Sequence, residues 1–188
     1  ETWCRIALLF ADASGPEASL LTLRSGIKRR GLVELAQAGN LREQIAGWGG
    51  GVDAQAGDVV LVFDDGLGGF LPLSEANLSC DPLSLASAGI VPAPASLTVV
   101  AEGTCVVKRT GRALYRHWQL ADGEDQPVRS LLARGARLVT EIGLGRGDAA
   151  HLAALDEVAS ERATQGLAAA WRLGSSLRHF REQWERHA

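Results

Sequence analysis

Methionine is missing from this 188-residue chain, which begins at Glu1. Without an initiator, it reads as a piece of a larger protein or assembly. Cysteine is scarce as well: Cys4, Cys80 and Cys105 are an odd count at wide spacing, which fits neither a disulfide framework nor a C-x-x-C metal pattern. His117, His151, His179 and His187 add no metal-ligand spacing, so neither a metal nor another cofactor is expected. No apolar run approaches the roughly 18 to 20 residues of a membrane span. The opening residues lack a basic region followed by a long apolar core, so no secretory signal is visible. Basic residues form no dense block; the nearest, Lys28 to Arg30, reads as the solvated end of a helix. With a net charge of −3, nothing marks a nucleic-acid surface. The expectation is a cytoplasmic protein with neither nucleic acid nor membrane among its partners.

What is present suits a single α/β domain over residues 1–188, since 46% apolar and 22% charged residues can form a full core. Short runs rich in Val, Leu and Ile at Arg5 to Phe10, Gly31 to Leu35, Asp58 to Phe63, Ser96 to Ala101 and Ala136 to Ile142 predict strands buried on both faces. Between the first two, Pro16 and Glu17 suit a helix start, and Leu20, Leu23 and Ile27 form one stripe that Gly31 ends. Asn40 and Glu43 have capping-box spacing, with Leu41, Ile45 and Trp48 on the buried face of that helix and Gly49 to Gly51 closing it. From Cys105 to Trp118 the period is nearer two, with a hairpin turn at Arg109 to Gly111. Asp148 can cap a helix carrying Leu152, Leu155 and Val158, and helical spacing continues through Leu167, Trp171, Leu177, Phe180 and Trp184. The alternation predicts a three-layer α/β/α sandwich with a mostly parallel sheet, a small hairpin insertion and C-terminal helices.

The stretch "GDVVLVFDDGLGGFLPL" from Gly57 is the most suggestive: a buried strand ends in two carboxylates and a cluster of glycines. Asp64 and Asp65, with Gly66 and Gly68, can bind a cation or a basic side chain, or simply build a capped turn. The glycines form neither G-x-G-x-x-G after a first strand nor a Walker-type loop, so a phosphate cradle is not indicated. The order of elements, "AGDVVLVF" before a glycine-flanked loop, "LTVVAEGTC", and "RSLLARGARLVTEIGLGRGDAAHLAAL" resemble the caspase-like fold of metacaspase-type and CHAT-type cysteine peptidases. The resemblance implies a general-base histidine after the third strand, where Leu67 stands, and a nucleophile at Cys105.

Leucine can neither lower a thiol pKa nor protonate a leaving amine, so the resemblance implies a pseudo-peptidase. Three readings follow. The first is a non-catalytic module for protein contact, scaffolding or regulation, with an active homologue or a larger complex as partner. Trp171, Phe180 and Trp184 are its candidate interface anchors, with core packing as their alternative. The second is an active cysteine hydrolase using Cys105 with a displaced base, His117 first, or else Cys105 as ordinary core packing. His151 is a further candidate base, whereas His179 and His187 read as surface. The third is a Rossmann-like sensor of a small ligand, because fold does not fix function.

Overall fold

The computed structural model describes residues 19–36, 39–53, 59–101, 104–120, 126–164 and 169–188. Cys4, the strand expected at Arg5 to Phe10, the helix start at Pro16, Leu167, and the side chain of Trp171 lie outside the described residues.

Among the described residues five strands form one mixed sheet: β1 (Ser19–Leu23), β2 (Gly31–Leu35), β3 (Val59–Phe63), β4 (Gly69–Pro72) and β5 (Ser96–Ala101), in the order β2-β1-β5-β3-β4. Among the described residues only β1 and β5 run parallel; β1–β2, β3–β5 and β3–β4 are antiparallel. The mostly parallel sheet expected from the sequence is therefore corrected. All five residues of β3 are buried. A continuous apolar run reports burial on both faces, and here helices cover both faces of a largely antiparallel sheet.

Alternation along β3 divides its side chains between two cores. Val59, Leu61 and Phe63 join Leu21, Leu23, Leu35, Leu97 and Val99 against α1 (Leu41–Gly49) and α2 (Pro82–Ser87). Val60 and Val62 join Phe70 on the other face, against α3 (Val106–Leu120), α4 (Gln126–Gly143), α5 (Ala149–Thr164), α6 (Ala169–His179) and α7 (Arg181–His187). The period of two along a strand makes this division automatic.

Helix α1 begins where expected: the Asn40 side chain accepts from the backbone N–H groups of Arg42 and Glu43, and Gly50 ends the helix at φ 66°. Leu41 and Ile45 are buried, whereas Trp48, which borders the same groove as they do, is 59% exposed. Asp148 accepts from the His151 N–H at the start of α5, and Leu152, Leu155 and Val158 are buried.

Three expected elements are wrong. The helix over Leu20 to Ile27 is strand β1 and a tight turn, in which Leu21 and Leu23 alternate inward and Gly26 sits at φ 78°. The hairpin over Cys105 to Trp118 is helix α3, whose Val106, Val107, Thr110, Ala113 and Leu114 follow a helical stripe. Gly111 is no hairpin turn there; a Cβ on it would lie 3.0 Å from Val139 Cγ1, so it allows α3 and α4 to approach closely. The strand over Ala136 to Ile142 is the second half of α4, where Val128, Leu131, Leu132, Gly135, Ala136, Val139 and Ile142 repeat at three and four residues.

Candidate functional site

Between β3 and β4 the backbone turns through Asp64 and Asp65, both in left-handed conformations at φ 49° and 56°. Asp tolerates that region better than most residues with a Cβ. Asp64 Oδ1 accepts from the N–H groups of Ala95 at 3.0 Å and Ser96 at 2.7 Å, tying the turn to the start of β5. Asp65 pairs with Arg24 at 3.0 Å. The Leu67 N–H donates to the Asp64 carbonyl, and the Gly68 N–H to that of Phe63. Gly66 packs its missing side-chain position against Phe70 and Ala113. These carboxylates and glycines hold β1, β3 and β5 together, and their groups are directed at the chain itself.

A different group of functional side chains gathers where β5 passes into α3. Cys105 precedes the first residue of α3 and its sulfur accepts from the Lys108 N–H at 3.5 Å. Gln183 Oε1 on α7 accepts the Val106 N–H at 3.2 Å, so two of the orphan amides at this helix start are occupied. The imidazole of His187, also on α7, places Nε2 3.3 Å from Cys105 Sγ. Both residues are half-buried.

The structure thus brings Cys105 to a histidine that the sequence marks as surface. His117 lies twelve residues further along the same helix, about 18 Å at 1.5 Å per residue, and cannot serve Cys105. His151 is engaged with Asp148 at 2.6 Å. No local pattern could have found His187, because its approach to Cys105 depends on how α7 docks across α3. The anchors Phe180 and Trp184 are buried in the helical core, with Trp184 fully enclosed and its indole N–H donating to Ser176 Oγ at 3.0 Å.

Beside the helix start opens a cleft of about 570 Å³, lined by Val59, Val60, Pro72, Thr104 and residues of α6 and α7 that include Arg178, Arg181, Gln183 and Arg186. Arg181 is paired with Asp156 and Glu185, which hold its guanidinium pKa above the usual value. His179, on the same wall, pairs with Glu75 at 2.8 Å. Among the described residues no cluster of three or more His, Cys, Asp or Glu side chains is arranged to hold a metal ion. No helix among them is long and apolar enough to cross a membrane.

No protein-family profile matches the chain. The resemblance to caspase-like and CHAT-type peptidases, with the pseudoenzyme reading drawn from it, is overturned by the relatives that do match. The chain is 26% identical over 178 residues to the F 2 subunit of NADH-quinone oxidoreductase of Rhizobium meliloti (strain 1021), an alignment covering 92% of this chain and 42% of that protein. In the solved NAD+-reducing [NiFe]-hydrogenase, in its air-oxidized state, a chain 18% identical superposes with a TM-score of 0.70 over 90% of this chain and 30% of its own length. The H2-reduced state of that hydrogenase gives 17% identity and the same TM-score over 93% of this chain. The chain therefore spans under half of the relatives it matches, and it shares its fold with part of an NAD+-reducing hydrogenase rather than with a peptidase.

Proposed function

We propose that this chain is a subunit-type module of an NAD(H)-linked redox complex, similar to part of the NADH-quinone oxidoreductase protein it aligns with, and that it acts through protein contacts. The observation that carries this reading is that alignment, which extends over 92% of the chain. Neither a peptidase nor a Rossmann-like sensor accounts for it.

The residues at the strand ends favour contact over dinucleotide binding. A dinucleotide pyrophosphate is held by free amides of a glycine-rich turn opening a helix after a strand. No strand here is followed by G-x-G-x-x-G. Where β5 does lead to a helix, the Val106 and Lys108 amides are taken by Gln183 and Cys105. Among the described residues, these strand ends thus do not fit a dinucleotide pyrophosphate.

Two measurements test the proposal. Crosslinking in the source cells, followed by isolation of the NADH-oxidising complex, should recover this chain in fixed stoichiometry with the other members of that complex. Recovery only as a free monomer would overturn the subunit reading. Calorimetry of the isolated chain should detect no NADH binding at micromolar concentration; a saturable signal would overturn the contact reading.

A further inference from the structure

We propose that Cys105 is an activated thiol that exchanges with small disulfides, with His187 as the base that takes its proton. This inference rests on the pair itself and stands apart from the function proposed above.

Three features converge on the sulfur. His187 Nε2 lies 3.3 Å from Sγ, within reach for direct proton transfer from the thiol. The sulfur also accepts from the Lys108 N–H inside the first turn of a 15-residue helix, where the aligned peptide dipoles favour negative charge. Finally, Cys105 is half-buried, so a small disulfide can reach it.

A cleft reaches the sequence neighbours of the pair. Thr104, adjacent in sequence to Cys105, and Arg186, adjacent to His187, both line the open cleft. Its charged lining comprises Arg178, Arg181 and Arg186 against Glu75 and Glu182. Arg181 is committed to Asp156 and Glu185, whereas Arg186 has no ion-pair partner among the described residues.

Cys80 supplies an internal contrast. It is 1% exposed, and burial, aided by the charge of Asp81, pushes its thiol pKa up to about 11. A buried neutral thiol of this kind is inert toward disulfides.

In the proposed step the Cys105 S–H proton passes to His187 Nε2, and the thiolate attacks one sulfur of the disulfide. A new S–S bond joins Cys105 to half of the reagent as the original S–S bond breaks. The proton held by His187 passes to the departing thiolate or, where that thiolate is a weak base, to solvent. Cys105 and the released thiol together carry the same number of electrons as the starting thiol and disulfide, so no further oxidant is needed.

The test uses the full chain with Cys4→Ser and an aromatic dicarboxylate disulfide whose released thiolate is coloured, the modified cysteine being assigned by mass spectrometry. At pH 7, Cys105 should react about tenfold faster than the same cysteine in a short peptide of its own flanking sequence. His187→Gln should slow it about tenfold at pH 7 but by less than about twofold at pH 10, where hydroxide can take the proton in place of the imidazole. A rate equal to the peptide's, or equal slowing at both pH values, would overturn the proposal. Should His187→Gln disturb α7, the unsubstituted pair still decides: Cys105 must outpace the peptide at pH 7 by about tenfold, and equal rates refute the inference.

Discussion

Individual polar side chains in this fold act mainly as ties between backbone segments. Asp64 shows how such residues mislead: two carboxylates and three glycines after a buried strand suggest ligand chemistry, yet Oδ1 satisfies the Ala95 and Ser96 amides. Asp81 does the same at the start of α2, accepting the Ser84 N–H at 2.9 Å. Hydrogen bonds from the Ser84 hydroxyl first, then from the Ser84 amide and the Ser79 hydroxyl, lower its pKa to about 2. A depressed carboxyl pKa gives stability that is complete above the unfolded value near 4 and is lost as pH falls towards 2. Urea midpoints measured between pH 5 and pH 2 should therefore fall less steeply in Asp81→Asn than in the parent. Parallel curves would show that this cap does not titrate with folding.

At the scale of elements, the features legible in the sequence are those governed by local chemistry. Asn40 and Gly50 bound α1 through hydrogen bonds made within a few residues, and β2, β3 and β5 are runs too short and apolar to be much else. The failures come where a stripe admits two periods. Leu20, Leu23 and Ile27 have helical spacing, but Leu21 and Leu23 with Thr22 between them have strand spacing, and pairing with β2 and β5 decides the outcome. For α4, a run that starts at Ala136 omits the four preceding positions of the same stripe. Gly26 shows what pairing demands: it sits at φ 78°, and a Cβ there would lie 2.2 Å from the Val99 carbonyl oxygen. Gly26→Ala should cost about 3 kcal/mol or more, because left-handed strain and a backbone clash add. Urea unfolding measures this directly, and a loss below about 1 kcal/mol would mean that the β1–β2 turn can move away from β5.

For the whole molecule, the division of a single strand's side chains between two cores explains both the success and the failure of the fold expected from sequence. That helices flank a central sheet is legible in the two-sided burial of β3; that the sheet is mixed is not, because strand direction leaves no mark on an apolar run. The Cys105–His187 pair is hidden for the same reason, since it arises only when α7 docks on the helical layer. Trp184 holds that docking: it is fully buried, packs in the core that includes Val60, Val62 and Phe70, and donates to Ser176, whose hydroxyl lies 2.8 Å from Thr110 Oγ1 on α3. The sheet is joined to the same layer by the Phe70 N–H donating to Ser175 Oγ at 3.0 Å. Trp184→Ala should cost about 3 to 5 kcal/mol, the range for emptying a buried aromatic site. Trp184→Phe, which keeps most of the ring volume but loses the hydrogen bond, should cost about 1 to 2 kcal/mol. Urea denaturation followed by far-UV circular dichroism gives both values. If Trp184→Ala unfolds in two steps, with the helical signal lost first, the sheet stands without its helical cover; one shared transition at lower urea shows that both cores depend on α7.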